Sequence, residues 1–182
     1  MINAKETIRK EILHKLNNQA GEEALRKSRI IREKLISLPE FKKSSIVMLY
    51  ASMHGEVATD EIIDEALRAG KRVALPRCTS QKTIVPKEIK DKNDLERSSF
   101  GILEPKKRKK DIHLGEIDIV VVPGVAFDGN NSRLGRGGGY YDRFLKRLPR
   151  GTPSIGLAFD LQIVESLPQD SHDIPVSKVI TN

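Results

Sequence analysis

Arg133, Arg136, Gly137, Gly138, Gly139 and Asp142 crowd into one short stretch of the chain. Guanidinium groups grip phosphate oxygens two at a time. Glycines let backbone N–H groups approach an anion closely, and a following helix adds partial positive charge at its start. Asp142 falls in the first turn of that helix. There it either complements the helix dipole or shares a Mg²⁺ with substrate phosphates. The whole segment, residues 123–145, reads P-G-V-A-F-D-G-N-N-S-R-L-G-R-G-G-G-Y-Y-D-R-F-L. It is an anion cradle that fits neither common nucleotide fingerprint. No Gly precedes Lys-Ser or Lys-Thr, and G-x-G-x-x-G started at Gly135 ends on Tyr140.

Other chemistry-bearing residues are scattered. Lys5 and Arg9 lie one helical turn apart, as two solvated cations or as a phosphate clamp. Glu56 follows a glycine in a loop, where a carboxylate either binds a ligand N–H or caps local backbone. His54 and His172 are isolated, and no H-x-x-x-H or C-x-x-C spacing supports a zinc site. Cys78 has no neighbour that marks a nucleophile, and G-x-S-x-G is absent.

The elements that must position these groups alternate. Apolar residues at helical spacing predict helices over 4–17 and 22–38, the second ended by Pro39. The run I-V-M-L-Y at 46–50 reads as a strand buried on both faces. Thr59 is placed to cap the next helix, which Gly70 stops. Strands follow at 73–75, ended by Pro76, and at 118–122 and 154–159, with a last short one near 179–180. Short edge strands are expected at 83–85 and 100–103, a helix at 140–148 and a helical turn at 162–167. Strand–helix–strand order predicts parallel pairing, so the expectation is one α/β domain over 1–182. Ligands of such sheets bind beyond the strands' carboxyl ends. Four segments leave those ends, 51–56, 76–78, 123–139 and 159–160.

The 182 residues suffice for one core, and the net charge of +7 favours an anionic partner, nucleic acid or small polyanion. The run P-K-K-R-K-K at 105–110 fits a solvated loop better than a nucleic-acid patch, since no aromatic residue is interleaved for stacking. One cysteine, no long apolar run and no signal-peptide core lead to the expectation of a cytoplasmic protein without membrane spans.

The loop motif, together with K-x-x-x-R in the first helix, Y-x-S-M-x-G-E-V-x-T after the first strand, V-A-L-P-R after the second and H-D-I-P-V near the end, strongly resembles the 5-formyltetrahydrofolate cyclo-ligases. The resemblance implies a three-layer α/β fold of the sugar-phosphate isomerase and CoA-transferase type, with helices on both faces of a mostly parallel sheet. It implies a monomer that uses ATP and Mg²⁺ to convert 5-formyltetrahydrofolate to 5,10-methenyltetrahydrofolate. It implies ATP contacts from Lys5, Arg9, Arg133, Leu134, Gly135, Arg136, Gly137, Gly138, Gly139, Tyr140 and Tyr141. Folate contacts would come from Ala51, Met53, Glu56, Arg136, Gly137, Gly138, Gly139 and Tyr140. Arg136 and Tyr141 would stabilise charge in catalysis, with no classical base, and Asp142 and Asp173 would hold Mg²⁺. On this reading Arg136→Ala and Asp142→Ala each reduce turnover far more than folding. Two positions depart from the family pattern: Asn131 replaces a glycine, and Ser177 an aspartate. The rival readings are a basic nucleic-acid-binding protein acting through residues 106–110 and a sugar-phosphate isomerase.

Overall fold

The computed structural model describes residues 4–98 and 101–182. In chain order the elements are α1 (Ala4–Asn18), α2 (Gly21–Ser37), α3 (Pro39–Lys43), β1 (Ile46–Met48), α4 (Asp60–Arg68), β2 (Arg72–Cys78) and β3 (Ile84–Ile89). Then come β4 (Leu95–Arg97), β5 (Leu103–Pro105), β6 (Ile119–Val122), β7 (Ala126–Asp128) and β8 (Arg133–Leu134). The last are α5 (Tyr140–Leu145), β9 (Ser154–Ala158), β10 (Ile163–Val164) and β11 (Lys178–Thr181). Six strands form one sheet in the order β11-β9-β6-β1-β2-β3, parallel except for the β2–β3 pair.

Alternation along the strands builds two cores. Val47, Val73, Ile119, Val121 and Ile155 meet Ile12 and Leu16 of α1, Ile31 and Leu35 of α2, and Ile62 and Ala66 of α4. The opposite-facing Met48, Ala74, Val120 and Val122 pack with Phe127, Phe144, Leu145, Ile112 and Ile117. With both faces covered, β1, β6 and β9 are buried along their whole length, which is why they read as continuous apolar runs. Coverage is uneven: three long helices lie on one face, and the short α5 with irregular chain lies on the other.

Several local expectations are corrected. Pro39 does not simply end α2, which stops at Ser37; it occupies the first turn of α3, where its missing N–H is no loss. Thr59 makes no side-chain cap; its hydroxyl donates to Tyr50 O and accepts from Ser52 N, tying the loop after β1 to the start of α4. Pro76 lies inside β2 because β1 pairs only as far as Ala74, and because it faces Pro86, which also lacks an N–H. The edge strand at 83–85 extends to Ile89 as β3, and residues 95–97 pair with 103–105 as β4 and β5. Phe100, where that second edge strand was expected to begin, lies outside the described residues. The expected helical turn at 162–167 is instead a 3₁₀ turn at Asp160–Gln162 followed by β10. Gln162, 1% exposed, pins it: Nε2 donates to Gly124 O and Val125 O, and Oε1 accepts from Phe159 N.

The segment 123–139 is the largest correction. It is not an open loop but a β7–β8 hairpin that joins β10 in a small second sheet. Asp128 organises it, accepting from Asn130 N, Ser132 N and, through Oδ2, Leu167 N. Asn131 takes the left-handed backbone that a glycine would favour, with φ 60°. After the hairpin, residues 135–139 form a loop, and Gly139 leads into α5.

Candidate active site

The cleft lies at the carboxyl ends of β1, β2 and β6, where the topology requires a ligand site. Its volume is about 820 Å³, and every candidate residue named from the sequence lines it. Residues 159–160, the fourth expected segment, lie elsewhere: Asp160 is taken by Lys27 at 2.7 Å.

The glycine loop is held from two sides. Arg9 Nε donates to Gly135 O at 2.8 Å, and Arg143 Nη2 donates to Gly138 O at 2.7 Å. Gly137 and Gly139 have φ of 98° and 63°, conformations that side chains resist. Among the described residues, the N–H groups of Gly137, Gly138 and Gly139 donate to no protein acceptor, so fixed donors line the cleft. Arg9 is therefore no solvated cation; it splints the loop.

Lys5 is likewise buried, 8% exposed. Its ammonium pairs with Asp170 at 2.7 Å and with Asp173, fastening the first turn of α1 to the chain before β11. Burial pulls its pKa down, but the two carboxylates outweigh that and hold it above the ordinary lysine value. Burial would raise Asp173, yet Asp170 N and Lys5 win and hold it low.

Arg133 projects from β8 into the interior, its side chain 3% exposed. Nη2 meets Asp142 Oδ1 at 2.8 Å, and the guanidinium lies 5.8 Å from the Tyr141 ring centre. Of the buried side-chain polar atoms without a partner among the described residues, two belong to residues that line the cleft, Arg133 Nε and Tyr141 Oη. Burial pushes the Tyr141 phenol well up, with the Glu56 charge adding to it, so it stays protonated at neutral pH.

Asp142 Oδ1 also accepts from Ile174 N at 3.3 Å, which sets it beside the segment that carries Asp173. Asp142 Oδ2 has no protein donor among the described residues. Carboxylates from two segments, stitched together beside arginines and free loop amides, fit what Mg²⁺ takes from a protein. Asp170, His172 and Asp173 also bring their ligand atoms within 4.8 Å of one another. Their spacing matches no standard metal pattern, so nothing in the sequence marks His172 as a ligand.

Glu56 meets the loop from the β1 side. Its Oε2 accepts from Met53 N at 2.9 Å, and its Oε1 from Arg136 at 3.3 and 3.4 Å. Burial raises its pKa despite both partners. Beyond it the cleft is apolar, with Tyr50, Pro76, Ile84, Ile102 and Leu103. Cys78 and the buried Glu104 also face that half; neither was distinguished in the sequence as a site residue, for lack of any motif around it. Ser177, the second departure, exchanges hydrogen bonds with Ser154 at the start of β9, the end of the sheet away from the cleft.

Together these features define an α/β protein with a cleft divided between a polyanion cradle and an apolar slot. The chain belongs to the 5-formyltetrahydrofolate cyclo-ligase family, whose family model matches residues 1–182. The 5-formyltetrahydrofolate cyclo-ligase of Mus musculus is 31% identical over 188 residues, covering 97% of this chain and 93% of its own. That of Escherichia coli K12 is 35% identical over 152 residues, covering 81% and 84%. The NMR structure of Aquifex aeolicus 5,10-methenyltetrahydrofolate synthetase superimposes with a TM-score of 0.87 at 39% identity, covering 98% of this chain and 90% of that one.

Proposed function

We propose that this cleft brings ATP and 5-formyltetrahydrofolate together and converts the folate to 5,10-methenyltetrahydrofolate, with ADP and phosphate released. Family membership supports the reaction, and the divided cleft is the observation that carries it. The chain acts as one cyclo-ligase domain, a three-layer architecture of the sugar-phosphate isomerase and CoA-transferase type.

ATP phosphates lie against Gly137–Gly139 N–H groups, Arg136, Lys5 and Arg9. The folate occupies the slot beside Ala51, Met53 and Glu56. The formyl oxygen attacks the γ-phosphorus; an O–P bond forms and the bridging P–O bond to ADP breaks. N10 then attacks the activated formyl carbon, the five-membered ring closes, the C–O bond breaks, and phosphate leaves with the N10 proton. The attacking atoms are the substrate's own, which accounts for a site with no serine or cysteine nucleophile. Phosphoryl transfer of this kind demands positioning and charge neutralisation. Arg136 and the loop amides supply both, and Arg133 positions Asp142 and Tyr141. Asp142 and Asp173 would hold Mg²⁺, which supplies further charge neutralisation when bound.

The test is direct. The protein mixed with 5-formyltetrahydrofolate and Mg-ATP should produce the near-ultraviolet absorbance of the methenyl product, with one phosphate released per turnover and none without ATP. A folded protein that yields no such product overturns the reading.

A further inference from the structure

Glu104 is a buried carboxylate, 6% exposed, at the apolar end of the cleft. Its protein hydrogen bonds among the described residues come from Cys78 alone, a long one from the backbone N to Oε1 at 3.3 Å and a weak one from the thiol. No cation pairs with it among the described residues, whereas Glu56, Asp142 and Asp173 each face an arginine or lysine in the same cleft. A buried carboxylate left this bare is expensive unless donors arrive from elsewhere.

Its place in the sheet says which donors. Along the sheet edge the groups follow strand order. The chain leaving β6 enters the cleft at Pro123 and Gly124 and reaches the glycine loop through β7 and β8, Glu56 follows β1, and Cys78 ends β2, with β5 lying against it. The phosphate-binding groups therefore gather toward one end and Glu104 toward the other. Around Glu104 the walls are Ile84, Ile102, Leu103 and Pro76, surfaces for a flat heterocycle. A pterin carries, on the edge remote from its reduced ring, an adjacent 2-amino group and N3–H. These are two parallel donors spaced for one carboxylate.

We infer that Glu104 accepts the 2-amino and N3–H donors of the folate and fixes which end of the pterin enters first. The inference rests on the cyclo-ligase reading above. Glu56, already holding Arg136 and Met53 N, is then left at the junction where the formyl group meets the phosphate. Cys78 N keeps Glu104 in place between turnovers.

Glu104→Gln keeps the size and the acceptor for Cys78 N but turns an amide donor toward the ligand's donors. The expected result is a KM for 5-formyltetrahydrofolate raised about 10- to 100-fold, with the KM for ATP within about twofold of wild type and thermal stability retained. A ligand lacking the 2-amino group probes the contact itself. Wild type should bind it about tenfold more weakly than the parent folate, and Glu104→Gln should bind the two nearly alike. Unchanged folate affinity in the variant, or discrimination retained by it, overturns the inference. So does a parallel loss of folate and ATP binding with a lowered melting temperature, which assigns Glu104 to the fold. Failure of the cyclo-ligase reading is a different result, since wild type would then make no methenyl product.

Discussion

Arg136 and Glu56 are 80 residues apart in sequence, yet Nη2 and Oε1 stand 3.3 Å apart across the mouth of the cleft. The bond joins the loop assigned to ATP with the loop assigned to the folate. Its length and the 46% exposure of the arginine side chain mark a contact that incoming phosphate can take over. The site is thus poised for its ligands rather than locked by itself.

Arg136→Ala should separate function from folding. Removing a preorganised cation from the transferring phosphate is expected to lower kcat about 10²- to 10³-fold. A half-exposed ion pair contributes about 0–1 kcal/mol, so the melting temperature should shift by no more than a few degrees. Steady-state kinetics beside a thermal melt measure both, and a large fall in melting temperature would contradict the assignment.

The raised pKa of Glu56 predicts a pH effect of defined sign. A carboxylate raised on folding binds its proton more tightly in the folded chain. The stability it carries is full below the unfolded value and is lost as pH rises through the folded value. Over the range from about pH 4 upward, wild type should lose stability relative to Glu56→Gln. A difference in melting temperature that stays constant across this range would show that Glu56 titrates normally.

Asp142→Ala should not spare the fold, contrary to the expectation from sequence. It strips the partner from a guanidinium only 3% exposed, and breaking such a pair costs about 3–5 kcal/mol. For a chain of this size that is a drop of roughly 6–20 °C in melting temperature. Asp142→Asn, which keeps an acceptor for Arg133, should recover much of the stability without recovering Mg²⁺-dependent activity. Equal stability of the alanine variant and wild type would refute the pairing.

Asp128 should set part of the acid limb of unfolding. Burial pushes its pKa up, but the N–H groups of Ser132, Leu167 and Asn130 outweigh it and hold the carboxyl low. Stability from such a group is present above the unfolded value and lost as pH falls through the folded one, here below about pH 4. Asp128→Ala should cost about 3 kcal/mol at neutral pH and flatten the loss of stability in acid. A titration of melting temperature against pH for both proteins reads this directly.

Cys78 should be inert. Burial, with the charge and hydrogen bond of Glu104, pushes its thiol up to about 12. Alkylation of the folded protein at mildly alkaline pH should run roughly a thousandfold slower than that of a free thiol. Rapid labelling would show that Glu104 leaves the thiol when the chain is free of ligand.

Sequence by itself determined the parts that repeat a pattern. The buried strands were legible because residues covered on both faces read as unbroken apolar runs, as at 46–48 and 119–122. The anion cradle was legible because glycines and arginines in one short stretch carry their chemistry locally. Tertiary structure alone decided what depends on partners far away in the chain. Lys5 and Arg9 look like solvated cations until Asp173 and Gly135 arrive 168 and 126 residues later. Asp142 looks like a helix-dipole carboxylate until Arg133 is seen to be buried against it. Glu104 has no motif at all. What singles it out is a missing cation in an apolar slot, and a slot exists only once β2, β3 and β5 have come together.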